Sequence, residues 1–223
     1  MTKEARIDFA RLTRLGMIEA IWGEHKTSEQ IVEILRELEQ YDQLAFVTRV
    51  SREKADHLLN TFDQAEFHEK AHCLTLGVPL PPFCDEIKVA VVSGGTSDLC
   101  VSAEAALALR LHGINAEMFL DIGVAGLHRV LENMDKLKKF NVVIACAGME
   151  GALPTVLAGL IPQPVIGVPV SVGYGVSKGG RAALEGMLAS CAPGLTVVNI
   201  DNGYGAAMAA LRIIKSSFTN GLL

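Results

Sequence analysis

The chain has 223 residues, half of them hydrophobic, and a formal net charge of −5. Its length allows one large domain, or a large domain beside a small one, at about 150 residues per domain. No run of Lys or Arg exceeds the pair Lys138-Lys139, which argues against a nucleic-acid-binding protein with a basic face. The longest apolar stretch, residues 156–176, contains three prolines and is therefore unsuited to crossing a membrane.

The cysteines indicate a reducing compartment. There are five, an odd number without metal-ligand spacing, at positions 73, 84, 100, 146 and 191. Disulfide frameworks are typical of small secreted chains, so free thiols are expected. The residues after Met1 lack an apolar signal core. We therefore expect a cytoplasmic protein without a membrane segment.

Residues 1–76 predict a small α/β lobe. Residues 8–15 suggest a polar helix, and Thr27-Ser28-Glu29-Gln30 forms a capping box that opens another. Ser51 is placed to cap a third helix, and three stretches predict strands, namely 44–50, 64–67 and 73–76. A proline-rich linker is expected at residues 77–86.

Residues 87–223 predict a larger α/β domain. Short apolar strands alternate with helical segments, and the expected strands are 88–92, 116–120, 142–146, 165–168 and 196–200. Such alternation predicts a parallel sheet with helices on both faces.

The loops after these strands carry an unusual supply of Gly and polar residues. They span residues 93–98, 121–129, 148–154, 169–178 and 199–204. Because the carboxyl ends of parallel strands meet at one edge of a sheet, the loops should gather there, where ligands of open α/β sheets bind. The sequence thus predicts a ligand site at that edge.

Each candidate residue also has a purely structural interpretation. The segment Ser93–Asp98 resembles an anion cradle, but Ser97 or Asp98 alone could cap a helix. Glu150 lies in a glycine-rich turn where a buried charge costs free energy, and it is either a proton-transfer group or a carboxylate at a helix N-terminus. Cys191 follows a helix at the opposite edge of the sheet, which favours an inert thiol.

The larger domain resembles the aminoimidazole ribonucleotide carboxylases and mutases of purine synthesis. The matching words are Ser-Gly-Gly-Thr-Ser-Asp (93–98), Gly-Leu-His-Arg (126–129), Ala-Leu-Pro (152–154), Pro-Val-Ile-Gly-Val-Pro-Val (164–170) and Ala-Pro-Gly-Leu-Thr-Val-Val (192–198). The purine enzymes lack the first lobe, and they carry a histidine where this chain has Ala152.

Nearly the whole chain resembles the pyridinium biscarboxylic acid mononucleotide synthases (LarB) of nickel-pincer cofactor biosynthesis, which serves lactate racemase maturation. The shared words include Gly23-x-x-Lys-Thr27, Val47-Thr-Arg-Val50, residues 121–129 and 147–154, Ser-Val-Gly-Tyr-Gly (171–175), Ser-Cys-Ala (190–192) and Val-Asn-Ile-Asp-Asn-Gly (198–203). The resemblance implies a three-layer sandwich around a central parallel sheet, of the flavodoxin/PurE-like kind, beside the small lobe.

This second resemblance implies an activity. The substrate would be nicotinic acid adenine dinucleotide, with carbon dioxide or bicarbonate as co-substrate, and the reactions would be ring carboxylation and phosphoanhydride hydrolysis that releases AMP. It assigns Cys191 as the thiolate that adds to the pyridinium ring and Glu150 as the proton-transfer group. The implied substrate-binding residues are Ser93, Gly94, Gly95, Thr96, Ser97, Asp98, His128, Arg129, Gly148, Met149, Ser171, Tyr174, Asp201 and Asn202.

The resemblance also bears on cofactors and partners. Phosphoanhydride cleavage favours Mg²⁺, for which Asp8 is a candidate ligand within an otherwise unknown set. A homo-oligomer, dimer-based up to an octamer, is expected, with Cys191 brought to the ring by a neighbouring subunit or by a closing loop. The alternatives are a purine-pathway carboxylase or mutase and a non-catalytic nucleotide-binding protein.

Overall fold

The computed structural model describes residues 6–219, with the side chain of Thr219 left out. The chain divides into two compact units, Met1–Pro81 and Pro82–Leu223, and the division falls within the segment predicted as a linker. Residues 1–5 and 220–223 of the two predicted domains lie outside the described residues.

The small unit is built on a mixed four-stranded sheet. Its strands are β1 (Ala20–Trp22), β2 (Ala45–Thr48), β3 (Ala65–His68) and β4 (Cys73–Leu76), in the order β1-β2-β4-β3. Strands β1 and β2 run parallel, whereas β4 is antiparallel to both of its neighbours. Strand β1 was not predicted, because three residues are too few to show a periodicity and its pairing partners lie some 25 residues away.

The α-helices of the small unit are α1 (Arg11–Leu15), α2 (Ser28–Gln40) and α3 (Arg52–Thr61). Helices α2 and α3 begin at the caps predicted from the sequence, whereas α1 begins at Arg11 without a side-chain cap. The predicted capping box is present, because the Thr27 side chain accepts the Gln30 N–H and the Gln30 side chain accepts the Thr27 N–H. Ser51 likewise caps α3 by accepting the Lys54 N–H at 3.3 Å. These hydrogen bonds pair backbone N–H groups that have no acceptor within the first turn of a helix.

The large unit is built on a five-stranded parallel sheet. Its strands are β5 (Lys88–Ser93), β6 (Asn115–Phe119), β7 (Val142–Ala147), β8 (Val165–Pro169) and β9 (Thr196–Val197), in the order β6-β5-β7-β8-β9. The strand order reverses between β5 and β7. Such a switch point leaves a crevice outside the carboxyl ends of the two strands, which is where ligands bind in open α/β sheets.

Helices cover both faces of this sheet, which confirms the predicted three-layer α/β sandwich. They are α4 (Leu99–Leu111), α5 (Leu127–Leu137), α6 (Ala152–Leu160), α7 (Arg181–Leu188) and α8 (Gly203–Thr219). Helices α5, α6 and α7 share a buried apolar cluster with β5 and β7, and α4 packs with α8 on the other face. All six residues of β7 are buried, as expected of a central strand covered on both sides.

In the large unit, the predicted ends of the strands agree with the structure to within one residue except at β9. The expected strand 196–200 contains only Thr196–Val197, because the chain turns away after Val198. Asp201, with a φ of 54°, donates its N–H to the Pro169 carbonyl at 2.8 Å. This turn returns the chain to the end of β8. Within residues 6–219, no helix combines the length and apolar character needed to cross a membrane.

Candidate functional site

A cavity of about 470 Å³ lies at the carboxyl end of the parallel sheet. Four of the five predicted loops line it, those that follow β5, β6, β7 and β8. Its lining residues are Gly94, Gly95, Ser97, Asp98, Gly123, Val124, Ala125, Ala147, Gly148, Met149, Glu150, Ala152, Leu153, Val172, Gly173 and Tyr174. The size suits a small-molecule ligand.

Asp98 is the buried carboxylate of this cavity, with a relative exposure of 5%. Its Oδ2 accepts the Gly95 N–H at 2.8 Å, and its Oδ1 accepts the Gly148 N–H at 3.1 Å. The side chain thus joins the loop after β5 to the loop after β7, on the two sides of the switch point. An ordinary helix cap would not make the second of these bonds.

The pKa of the Asp98 carboxyl is raised above its ordinary value, chiefly because burial penalises the charged form. The N–H groups of Gly95, Gly148 and Gly94 act in the opposite direction, and the negative charge of Asp201 adds to the rise. This shift makes the free energy of unfolding depend on pH. The stability that it contributes is present below the ordinary pKa of an aspartate and is lost as the pH rises through the raised pKa of Asp98.

We expect Asp201→Asn to lower the pKa of Asp98, because it removes the like charge that helps to raise it. If turnover needs ionised Asp98, the acid limb of the pH–rate profile should move to lower pH. Asparagine keeps an oxygen for the bond that Asp201 Oδ1 accepts from the Ser171 N–H at 2.8 Å. The carbon-13 shift of the Asp98 carboxyl should report the same displacement. An unchanged titration would contradict the electrostatic coupling of the two carboxylates.

Glu150 also lines the cavity, but its side chain is exposed. The expected free-energy cost of a buried charge therefore does not arise there, and that part of the sequence argument was wrong. The turn points the chain outward because Met149 and Gly151 both adopt left-handed conformations, with φ values of 53° and 68°. Glu150 is consequently open to solvent although it lines the cavity.

Close backbone packing holds this turn against its neighbours. A Cβ atom on Gly148 would lie 2.3 Å from the Val172 carbonyl oxygen, and one on Gly186 of α7 would lie 2.5 Å from the Glu150 carbonyl oxygen. The Met149 N–H also donates to the Val172 carbonyl at 3.1 Å. The glycines therefore permit contacts that fix the position of Glu150.

Two backbone amides of the expected anion cradle, those of Gly94 and Gly95, donate within the protein. The Gly94 N–H donates to the Cys146 carbonyl at 3.0 Å, and the Gly95 N–H donates to Asp98. The side chains of Thr96 and Ser97 are exposed in this loop, and of these two only Ser97 lines the cavity. Glycine lets the loops after β5 and β6 approach each other closely. A Cβ on Gly123, a lining residue that the sequence did not single out, would lie 2.4 Å from the Gly94 carbonyl oxygen.

Several predicted site residues lie outside the cavity lining and have structural partners. Ser93 is fully buried, and its hydroxyl accepts the Asp121 N–H at 3.1 Å. Arg129 Nη1 donates to the carbonyl and the carboxylate of Asp121 at 2.6 and 2.7 Å, while His128 is exposed at the start of α5. The Asn202 side chain accepts the Gly205 N–H at 2.7 Å at the start of α8.

The loop after β8 is held by Asp201. Its carboxylate accepts the N–H of Ser171, which precedes the lining residues Val172, Gly173 and Tyr174. Ser171 and Asp201 therefore support the loop without lining the cavity, and Tyr174 projects with a relative exposure of 78%.

Cys191 lies in the connection between α7 and β9 and is not a lining residue of the cavity. All five cysteines are described, and Cys191 is the only exposed one. The adjacent Ser190 hydrogen-bonds through its hydroxyl to that of Thr155 at 2.8 Å, within the first turns of α6. The Cys191 connection thus packs against the helix that follows the Glu150 turn. Burial, by contrast, raises the pKa of the Cys146 thiol well above its ordinary value.

The described residues do not form a metal site. No group of three or more His, Cys, Asp or Glu side chains among residues 6–219 is arranged to hold a metal ion. The Asp8 carboxylate pairs with Arg14, with oxygen–nitrogen distances of 3.2 and 2.5 Å, and this hydrogen bond lowers the pKa of Asp8. The Asp8 carboxylate is thus engaged by Arg14, and the binding of Mg²⁺ stays a prediction.

Comparisons with known proteins agree with this architecture. The LarB/PurE-like N-terminal domain family matches residues 1–78, and the AIR carboxylase family matches residues 88–220. An uncharacterized protein, MJ0165 of Methanocaldococcus jannaschii, is 34% identical over 218 residues, covering 94% of this chain and 84% of that protein.

One further relative and one solved structure each match part of the chain. The N5-carboxyaminoimidazole ribonucleotide mutase of the same organism is 35% identical over 133 residues, or 56% of this chain and 78% of the mutase. A crystal structure of a PurE2 variant from Treponema denticola aligns with a TM-score of 0.49 and 20% identity, covering 61% of this chain and 81% of that one. The chain belongs to the AIR carboxylase family and has a LarB/PurE-like N-terminal domain before its AIR carboxylase domain.

Proposed function

We propose that this protein carboxylates the pyridinium ring of nicotinic acid adenine dinucleotide and hydrolyses its phosphoanhydride. The products would be pyridinium biscarboxylic acid mononucleotide and AMP, formed in the cytoplasm for nickel-pincer cofactor assembly. Family membership supports a carboxylase or mutase role. The proposal of pyridinium carboxylation in particular is supported by the turn after β7 that lines the cavity. Glu150 is present in this turn, and Ala152 stands where the purine enzymes have a histidine.

The chemistry requires a nucleophile, because a pyridinium carbon is electrophilic and does not attack carbon dioxide. A thiolate adds to the ring carbon para to the nitrogen, and the electron pair of the ring double bond moves to the nitrogen, which gives a neutral dihydropyridine. Its enamine carbon then forms the new bond to carbon dioxide. Loss of the proton from that carbon, followed by expulsion of the thiolate, restores the aromatic ring.

The residues can be given roles in this sequence. Cys191 supplies the thiolate, since it is the only exposed cysteine of the five. Glu150, an exposed lining residue of the cavity, accepts the proton. Asp98, fixed by the Gly95 and Gly148 amides, orients the substrate against the switch point. In the hydrolytic step a water oxygen bonds to one phosphorus of the anhydride while the bond from that phosphorus to the bridging oxygen breaks. The bridging oxygen leaves with the other phosphate group, and the water loses a proton to solvent.

We further propose that a second copy of the chain completes the site. Val172, Tyr174 and Val176 follow β8 with large exposed fractions, 93% for Val176, and the first two also line the cavity. Exposed apolar side chains grouped in this way mark interaction surfaces. A neighbouring subunit seated there would cover them and could bring its own Cys191 to the ring. Light scattering should then give a molar mass of at least two chains, and a monomer at assay concentration would contradict it.

Product analysis separates this function from its alternatives. The protein is mixed with nicotinic acid adenine dinucleotide and bicarbonate, and in parallel with N5-carboxyaminoimidazole ribonucleotide. Mass spectrometry should find AMP and a carboxylated mononucleotide in the first mixture and no conversion in the second. Conversion of the second substrate alone would establish a purine mutase, and two unchanged substrates would indicate a non-catalytic binding protein.

A further inference from the structure

The small unit contains a second cavity, of about 290 Å³, which the proposed chemistry does not use. It lies beside β1 and is closed by α2 and by Arg6 and Ile7. Its lining combines apolar side chains with two cations and one carboxylate, and comprises Arg6, Ile7, Glu19, Ala20, Ile21, Trp22, Lys26, Ile34 and Leu38. From this lining we infer that the cavity binds a nucleoside monophosphate, with the base among the apolar side chains.

An aromatic base has a stacking surface and a hydrogen-bonding edge here. Trp22 is 49% exposed although it ends a strand, and tryptophan offers a large face for base stacking. Strand β1 forms an edge of the described sheet, so its outer N–H and C=O groups have no strand partner there. An adenine presents an adjacent donor and acceptor, N6 and N7, which suit such a backbone edge.

The cations suit a phosphate. Lys26 is half-buried at the cavity wall, and its ammonium group makes no hydrogen bond or ion pair with the other described side chains. Arg6 lines the same space with an exposed side chain. The carboxylate of Glu19 opposes them, but it already accepts the Asp8 N–H at 3.1 Å. Two cations against one engaged carboxylate leave a net attraction for a phosphate dianion.

Glu24 is not a lining residue of the cavity, but its carboxylate lies next to the lining residue Trp22. Glu24 accepts the Trp22 indole N–H at 3.2 Å and pairs with Arg49 at 3.4 Å, while the Arg49 guanidinium lies 5.9 Å from the Trp22 ring centroid. A carboxylate near a bound nucleotide commonly accepts ribose hydroxyls. Arg49 adopts a left-handed backbone conformation, with a φ of 55°, which costs free energy for a residue with a side chain.

The loop that carries Glu24 and Lys26 is rigidly placed. Lys54 Nζ donates to the carbonyls of Gly23 and Glu24, at 2.8 Å each. The Gly23 N–H donates to the Thr48 carbonyl at 2.9 Å, and a Cβ on Gly23 would lie 3.0 Å from that oxygen. These contacts fix the positions of the ligand-binding groups before the ligand arrives, which lowers the cost of binding.

The choice of adenine, and only that choice, rests on the proposed function, whose substrate contains an adenylate. The experiment is a titration of the full chain with AMP. Trp22 is the single tryptophan of the chain, so its emission reports on this cavity alone. Excitation at the red edge of the indole band avoids absorption by adenine. We expect saturable quenching, with Lys26→Met weakening the apparent affinity about tenfold.

Lys70→Met is the matched control, since Lys70 is an exposed lysine of the same unit outside the cavity lining, and it should leave the affinity unchanged. Asp98→Asn should also preserve the quenching although it impairs turnover. Equal affinities for Lys26→Met and Lys70→Met would overturn the inference, as would calorimetric AMP binding without a change in Trp22 emission. Quenching in a protein that fails to carboxylate the dinucleotide would refute the proposed function and leave this site standing.

Discussion

Replacing Cys191 with serine is expected to abolish carboxylation, with turnover reduced by roughly 10³-fold or more, about 4 kcal/mol in activation free energy. A serine hydroxyl is a far weaker nucleophile than a thiolate, so the dihydropyridine would not form. Ligand affinity should survive, because Cys191 is exposed and lies outside the cavity lining. Turnover and dinucleotide binding are measured separately, and Cys84→Ser provides the matched control. Undiminished turnover by Cys191→Ser would contradict the covalent route.

The same variant tests whether the site is shared. Glu150→Gln removes the proton acceptor and leaves the thiol, so it should also be inactive by itself. If Cys191 of one chain serves the Glu150 turn of another, a mixed assembly of the two variants contains some sites with both wild-type residues. Mixing after subunit exchange should then restore part of the activity. Complete inactivity of demonstrated mixed assemblies would show that both residues act within one chain.

Gly148→Ala is the substitution with the largest expected effect on the cavity itself. Its Cβ would lie 2.3 Å from the Val172 carbonyl oxygen, so the loops after β7 and β8 must separate. Overpacking of this kind costs about 1–3 kcal/mol in the free energy of unfolding. The shift would also break the bond from the Gly148 N–H to Asp98. Loss of stability is measured by denaturation of the large unit, and loss of activity by product formation.

Gly159→Ala is the matched control for that experiment. A Cβ on Gly159, near the end of α6, meets no atom within 4 Å. Alanine also favours helical conformations over glycine by about 0.5–1 kcal/mol. The control should therefore be neutral or slightly more stable and fully active. Equal damage from both substitutions would show that the Gly148 contact is not the cause.

Local signals predicted the elements well. The Thr27–Gln30 capping box and the Ser51 cap were visible because each is made by residues three apart in the chain. The buried strands of the large unit were visible as short apolar runs, since both faces of a central parallel strand are covered. Strand β1 was missed because its three residues become a strand only by pairing with β2.

The sequence predicted which loops form the site, but not which of their side chains are buried or which residues of different loops are in contact. The sequence pointed to Glu150 as the buried carboxylate, whereas the structure buries Asp98 instead. The burial of Asp98 depends on a contact with Gly148, fifty residues away, and no local pattern contains it. Glu150 was expected to be buried but is exposed, because the left-handed backbone conformation of Met149 turns the chain outward. The link from Ser190 to α6 was similarly invisible, since it is a tertiary contact.

The proposed reaction attaches a carboxyl group to the pyridinium ring of a dinucleotide. The most direct measurement supplies carbon-13 bicarbonate with nicotinic acid adenine dinucleotide and records the mass and fragmentation of the released mononucleotide. We expect a pyridinium mononucleotide that carries one labelled carboxyl group on its ring, together with unlabelled AMP. A mononucleotide without the label, or a dinucleotide recovered unchanged, would contradict the proposed reaction.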